Sequence, residues 1–503
     1  MSVEQSLKEY ATAILTAREA EAAAARNGVA RSRNLNDQID VSTAPTDTLV
    51  TNLFMDRFGD RVCYVRERKA WYVWDGRRWI VDLGGDRMTA LMQEFVGCLY
   101  TRAGCERQET RQKSLASFAK YSASARAHRA MAQLATGRLK NVRNITDFDA
   151  DPFLFNVANG VIDLRTGELR EHRCDDFMTR ISDVKYNPDA ACPRFVQFVD
   201  EVFCGDTELT AYIQRFAGYS LTGDSREQVF ILFYGVGSNG KSTLIGALRS
   251  VLGAYAVATP SDTFLPRKPG AATNDLAALS GARFVSAVET EAGRKLAEAL
   301  IKAVTGGDPI PARFLHAEFF TYVPQFKPVL AVNHLPIIRG GDRGIWRRVH
   351  AVPFRATFEG KRSDQTLAEK LHAERSGILA WCVRGCLDWQ REGLGEPEAV
   401  NLATKDYRVQ SDVFDSFLRE RCKRDDEASI SAKALRDEHM AWAEPIGEDP
   451  LSANMIGRLL AERGFRAKHT SLGSFWVGLR KRSTAESTDN GRTAGEVMNN
   501  ASF

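Results

Sequence analysis

The stretch Gly235-Val-Gly-Ser-Asn-Gly-Lys-Ser242 has the residue types and spacing of a phosphate-binding loop. Its glycines permit backbone angles that aim successive N–H groups at one anion. Lys241 is spaced to reach the β- and γ-phosphates of ATP, and the Ser242 hydroxyl to ligate Mg²⁺. Gly235, Gly237, Ser238, Asn239, Gly240, Lys241, Ser242 and Thr243 are the candidate nucleotide contacts. Hydrolysis also needs carboxylates. Glu289 and Glu291 follow the apolar run 283–288. Acids at the carboxyl end of a core strand beside such a loop can hold Mg²⁺, commonly through water, and polarise the attacking water. Elsewhere two acids after a strand are ordinary loop residues; the neighbouring loop favours the chemical reading. Asn333 closes a third apolar run, 328–332, and can hydrogen-bond the γ-phosphate or the lytic water. Arg343, Arg347 and Arg348 come next. Arginines reaching into a neighbouring subunit stabilise charge developing on a γ-phosphate, although Arg343 could equally form a surface ion pair.

These side chains need a rigid frame. Residues 229–234 form an apolar, strand-like run leading directly into the loop. Leu244, Ile245, Leu248, Val251 and Leu252 then recur at helical spacing, with Gly253 where a helix would stop. Strand, loop and helix place the positive end of the helix dipole at the phosphates. Alternation of apolar strands and helices over 229–354 predicts a three-layered α/β ATPase core within a multidomain chain.

Around that core, residues 1–47 read as a flexible or helical arm and 48–222 as mixed, then mostly helical. Within the latter, residues 70–79 predict an aromatic hairpin around Asp75-Gly76, whose rings could stack on bases or pack across the strands. Residues 223–360 hold the ATPase, 361–411 a helical extension, 412–482 three helices plus a hairpin, and 483–503 a polar, disordered tail.

Composition excludes several classes. With 503 residues, 44% hydrophobic and 26% charged, the chain reads as an ordinary soluble multidomain protein. No apolar run approaches the roughly 20 residues of a membrane span, and the N-terminus lacks a secretory signal, so a cytoplasmic location is expected. Nine cysteines without a C-x-x-C pair predict neither a disulfide framework nor a zinc site, with Cys382 and Cys386 read as core residues. The net charge of +4 is uninformative, but its distribution is not. Residues 102–143 carry 10 Lys or Arg against 2 acids, and 458–482 carry 7 against 1. Either cluster could neutralise phosphates or simply form a solvated face.

Taken together, these residues resemble the superfamily 3 helicases, in the branch of phage and plasmid primase/helicase proteins related to the poxvirus primase/helicase. The resemblance spans about 148–482 and includes Asn159-Gly-Val-Ile-Asp-Leu-Arg-Thr-Gly167, Leu221-Thr-Gly223, the P-loop with Asn239, Glu289-Thr-Glu291, Thr305-Gly-Gly-Asp308, Asn333-His-Leu-Pro336 and the arginine segment. It implies an AAA+-like ATPase, a winged-helix-like domain at 412–482, and a homo-hexameric ring moving 3′ to 5′ on one DNA strand. Carried over by position, Lys241 and Ser242 become the Walker A contacts, Glu289 and Glu291 the Walker B acids, Asn333 the first sensor, and Arg347 or Arg348 the arginine finger. Arg348 is favoured because it directly precedes the next strand. The region of the family's channel hairpin makes Arg313, His316 and Lys327 candidate DNA contacts, and the winged-helix-like region adds Arg458, Arg466 and Lys468. The inferred hairpin tip, 316–318, carries less positive charge than a channel loop suggests.

The expected function is therefore that of an ATP-dependent replicative DNA helicase using ATP and Mg²⁺, with single-stranded and forked DNA as partners. Residues 1–147 show no acidic metal cluster of the kind a primase uses, so a separate primase or initiator is an expected partner. The alternative is an origin-binding or initiator protein that ATP switches without unwinding. A small-molecule kinase fits the paired acids, Asn333 and the arginines less well.

Overall fold

The computed structural model describes residues 44–482, apart from 268–272, 290, 292, 316–317, 339–342, 361–362, 412, 447–449 and 472. The tail at 483–503, most of the arm and His316 lie outside the described residues. The chain is multidomain α/β, with a parallel sheet at its centre.

The first unit contains α1 (Asp47–Phe58), β1 (Val62–Val65), β2 (Ala70–Trp74), β3 (Trp79–Asp82), α2 (Asp86–Cys105), α3 (Glu109–Ser122), α4 (Ala125–Ala135) and β4 (Val142–Arg143). Strand order is β3-β2-β1-β4. The aromatic hairpin forms as expected: Trp74 pairs with Trp79, and the Asp75 carboxylate accepts from the backbone N–H groups of Arg77 and Arg78. Trp71, Tyr72, Trp74 and Trp79 are all buried, with the Trp74 and Trp79 rings 5.9 Å apart. These rings pack across the strands and have no free face for a base.

A second small sheet follows, β5 (Leu154–Val157), β6 (Gly160–Asp163) and β7 (Glu168–Arg170), antiparallel throughout. Helices α5 (Pro193–Val202) and α6 (Thr207–Tyr219) lead to the central sheet.

That sheet comprises β8 (Phe230–Tyr234), β9 (Ala256–Ala258), β10 (Phe284–Glu289), β13 (Lys327–Val332) and β14 (Val349–Pro353), ordered β14-β8-β13-β10-β9 and parallel at every pairing. Its inner strands are almost continuously apolar because helices cover both faces. Helix α7 (Lys241–Leu252) follows β8 and buries Leu244, Leu248, Val251 and Leu252 completely, worth roughly 2 kcal/mol per side chain relative to exposure. Between β9 and β13 lie α8 (Asn274–Ala278), α9 (Glu298–Gly306) and a two-stranded hairpin of β11 (Ile310–Ala312) and β12 (Phe320–Tyr322). The short helix α10 (Arg343–Trp346) precedes β14.

Helices α11 (Leu367–Ala373), α12 (Arg375–Glu392) and α13 (Glu398–Ser411) return to the same core. One cluster joins Phe155 of β5, Phe216 of α6, Phe233 of β8 and Trp381 of α12, so burial runs across the boundaries drawn at 222/223 and 360/361. Helices α6 and α12 cross at backbone contact: a Cβ on Gly218 would lie 2.0 Å from the Cys386 nitrogen, and one on Gly385 2.1 Å from the Gln214 oxygen. Cys382 and Cys386 are buried beside this crossing, and burial pushes the Cys386 thiol up to about 12.

The last unit has its own core of Phe414, Phe417, Leu435, Trp442, Leu460 and Leu479. It contains α14 (Val413–Arg421), β15 (Cys422–Ser431), α15 (Ala432–Ala443), α16 (Ala453–Glu462), β16 (Arg466–Thr470) and β17 (Gly473–Lys481). The three helices and the hairpin match expectation. Strand β15 does not appear in the sequence reading; it pairs with β17 across a register shift between Arg424 and Ser429. No helix among the described residues is long and apolar enough to cross a membrane.

Candidate nucleotide site

Register fixes the site. Glu289 at the end of β10 lies opposite Val332 of β13, which lies opposite Tyr234 at the end of β8. The acids, Asn333 and the P-loop therefore leave the sheet at one carboxyl edge, the usual crevice for ligands of open α/β sheets. Because β13 is inserted between β8 and β10, Asn333 comes within reach of the loop.

Gly240 caps α7 with φ of 87° and Ser238 has φ of 50°, so the loop curls back before the helix begins at Lys241. A segment that nothing in the sequence reading singled out braces the curl from behind. Phe354 donates its N–H to the Tyr234 carbonyl at 2.8 Å, and Phe358 donates to the Ser238 carbonyl at 2.7 Å. The Asn239 amide donates to the Phe354 carbonyl at 3.4 Å. At Gly235 a Cβ would meet that carbonyl oxygen at 2.4 Å, which is why this position takes glycine. Gly237 has open space around it.

The Lys241 ammonium donates to the Gly235 carbonyl (2.6 Å), the Asn239 Oδ1 (3.0 Å) and the Asn333 Oδ1 (3.3 Å). Burial lowers its pKa, since the acceptors around it are neutral amide oxygens. The structure thus joins Lys241, Asn239 and Asn333 directly. Ser242 sits exposed in the first turn of α7, with Thr243 half-buried beside it.

The two acids differ. Glu289 is 6% exposed, and its Oε1 accepts the Glu291 N–H at 2.9 Å. Glu291 points outward and pairs with Arg294, whose guanidinium lies 3.2 Å from it and 3.9 Å from Glu289. Arg294 also pairs with Asp262. A lone arginine in a loop gives no sequence signal, and Arg294 was missed for that reason.

Arg347 and Arg348 separate cleanly. Arg348 is 8% exposed; its Nε donates to Thr305 Oγ1 at 3.1 Å and its Nη1 to the Gly344 carbonyl at 2.7 Å. The sequence preference for Arg348 as the arginine finger therefore meets a side chain held within its own chain, while Arg347 is the one presented at the surface. Arg347 is exposed and donates to Gln228 Oε1 at 2.9 Å, while Arg343 is exposed one helical turn earlier. Arg348→Ala is expected to cost about 2–3 kcal/mol in chemical denaturation, because it deletes the buried charged donor of the bonds to Thr305 and Gly344 and the packing of its side chain. Arg347→Ala should stay within about 0.5 kcal/mol of wild type. Equal losses for the two would contradict this division.

The expectation for Lys327 is corrected. At the start of β13 it is 2% exposed, and its ammonium donates to the carbonyls of Thr222, Asp224 and Gln325 at 2.6, 3.0 and 3.2 Å. Desolvation lowers its pKa well below the ordinary lysine value, and a strand of DNA has no access to it. Arg313 is exposed beside the β11–β12 hairpin, 4.7 Å from the Phe319 ring. Arg458 on α16 and Arg466 and Lys468 on β16 are exposed. In the basic segment 102–143, Arg111, Lys113, Arg126 and Arg138 pair with Glu106, Glu109, Asp47 and Asp56, as on a solvated face.

Residues 51–204 match the family model described as D5 N terminal like. A putative helicase, L207/L206, of Acanthamoeba polyphaga mimivirus is 28% identical over 415 residues, covering 74% of this chain and 43% of the relative. A putative helicase, 022R, of frog virus 3 is 25% identical over 368 residues, covering 56% and 38%. A putative primase, C962R, of African swine fever virus is 24% identical over 217 residues, covering 41% and 22%. The chain is thus similar over 51–204 to the D5 N-terminal-like family, and over longer stretches to viral proteins named as helicases or primases. The superfamily 3 resemblance is consistent with that kinship. The chain spans about two fifths of the length of the two helicase relatives. Among solved structures, the C-terminal region (305–718) of NrS-1 aligns with a TM-score of 0.47 and 9% identity, over 83% of this chain and 96% of that one.

Proposed function

We propose that the chain is the ATP-hydrolysing, strand-separating part of a replicative DNA helicase. The observation that carries this reading is the contact of Lys241 with Asn239 and Asn333, on the sheet edge where Glu289 also ends. Four polar groups lie at the carboxyl ends of three neighbouring strands, an arrangement that core packing does not require and γ-phosphate chemistry does. In this reading Lys241 leaves its carbonyl and amide acceptors for phosphate oxygens, which repay its burial with opposite charge. The P-loop N–H groups and the start of α7 add fixed positive potential. The residues fit Mg²⁺: Ser242 supplies an exposed hydroxyl and Glu289 a carboxylate, the oxygen ligands a hard cation takes. Bound there, Mg²⁺ would neutralise charge on the transferring phosphoryl group. Glu289 polarises the attacking water, and Asn333 orients it or the γ-phosphate.

The central sheet then corresponds to the AAA+-like core of the superfamily 3 resemblance, and the last unit to its winged-helix-like domain. A hexameric ring moving 3′ to 5′ along single-stranded DNA follows from the same resemblance. Arg313 and the residues of the β11–β12 hairpin are the proposed strand contacts, with Arg458, Arg466 and Lys468 on phosphates of forked or duplex DNA. A separately supplied primase or initiator is the proposed partner.

A forked duplex with a 3′ tail tests the proposal. The wild-type chain should separate the strands with ATP, and Lys241→Ala should abolish both separation and single-strand-stimulated hydrolysis. ATP-dependent assembly on specific duplex DNA, without strand separation at either tail polarity, would instead favour a switched initiator.

A further inference from the structure

The loop after β10 is held at defined points. Ile337, four residues beyond Asn333, donates its N–H to the Arg294 carbonyl at 2.7 Å, and Leu296 donates to the Ile337 carbonyl at 3.0 Å. Ala297 donates to the Phe264 carbonyl at 2.8 Å. These bonds tie the Arg294 backbone to the segments that follow Asn333 and β9. Its guanidinium is thereby set among three carboxylates from different parts of the chain: Glu289 at the strand end, Glu291 in the loop, and Asp262 in the turn after β9. Glu289 and Asp262 lie 27 residues apart in sequence, so this grouping is made by the fold.

We infer that Arg294 is a positioning residue of the nucleotide site, which holds the Glu289 and Glu291 carboxylates in place and competes with Mg²⁺ for their charge. The inference rests on the ATP-site reading above. Clustered acids repel one another, and a guanidinium can engage several carboxylate oxygens at once. Engaging Glu291, Arg294 draws the exposed acid outward and leaves Glu289 as the buried acid at the strand end. The same positive charge beside Glu289 opposes the approach of a divalent cation. Arg294 therefore serves the alignment of Glu289 at some cost in affinity for Mg²⁺. Because the guanidinium is more than one-third exposed, solvent screens it, and the expected effect is modest.

Binding of a fluorescent ATP analogue, titrated with Mg²⁺ at low ionic strength, reads this without turnover. Arg294→Gln should lower the half-saturating Mg²⁺ about threefold, while turnover measured separately falls. Arg294→Lys, which keeps the charge, should restore the wild-type Mg²⁺ dependence, and added salt should shrink the difference. A purely structural arginine would change the melting temperature and leave the Mg²⁺ dependence alone. An unchanged or raised Mg²⁺ requirement in Arg294→Gln overturns the inference, as does a lysine variant that behaves like the glutamine one. Lys241→Ala is the separate control: normal analogue binding by that variant would overturn the ATP-site reading itself.

Discussion

Glu289→Gln is expected to bind ATP with near wild-type affinity and to hydrolyse it about 10²–10⁴-fold more slowly. Glutamine matches the shape of glutamate, and the strand end that holds it is closed: the residue is 6% exposed and its Oε1 accepts the Glu291 N–H. An amide oxygen can still accept that bond, so the fold should survive. What is lost is the negative charge that draws a proton from the attacking water. Binding depends mainly on Lys241 and the P-loop N–H groups, which are untouched. Glu291→Gln should be much milder, because that carboxylate points outward and its partner is Arg294. Equilibrium nucleotide binding and single-turnover hydrolysis, measured on both variants, separate the two acids. Full turnover by Glu289→Gln would remove it from the proposed mechanism, and equal losses for both would mean that burial does not distinguish them.

The sequence made the strand, loop and helix at 229–252 legible because each carries its own local signal. Continuous apolar strands, a glycine loop and a helical stripe need no long-range information. The hairpin at 70–79 was legible for the same reason, through aromatic strands on either side of Asp75-Gly76. Strand β15 was not: Lys423, Arg424, Asp425, Asp426 and Glu427 follow one another without polar–apolar alternation, and the strand exists because β17 pairs with it. Arg348 and Lys327 mislead in a related way. Type and position suggest surface chemistry, yet Thr305 and Gly344 accept from Arg348, and the carbonyls of Thr222, Asp224 and Gln325 accept from Lys327. The brace at 354–358 acts largely through backbone N–H and carbonyl groups, which side-chain identity does not encode.

Arg347→Ala should leave the fold and nucleotide binding intact while lowering ATP turnover by about 10³-fold or more, the usual worth of an arginine finger. The expectation follows from the contrast with Arg348. Arg347 is exposed and tied to one side-chain amide, Gln228, whose 2.9 Å contact it can exchange for a phosphate oxygen at little cost. It precedes β14 at the amino end of the strand, whereas the P-loop leaves β8 at the carboxyl end of the paired strand. A side chain at the amino edge is poorly placed to serve the P-loop of its own chain, and in the proposed ring it would serve a neighbour's. Mixing tests this directly. Lys241→Ala and Arg347→Ala should each be inactive alone, yet a mixed assembly forms some sites with an intact P-loop on one subunit and an intact arginine on the next. Partial recovery of hydrolysis on mixing is the expected result. If Arg347→Ala alone is impaired but mixing restores nothing, the arginine acts within its own chain. Full activity of Arg347→Ala would leave exposed Arg343, one helical turn away, as the side chain to test next.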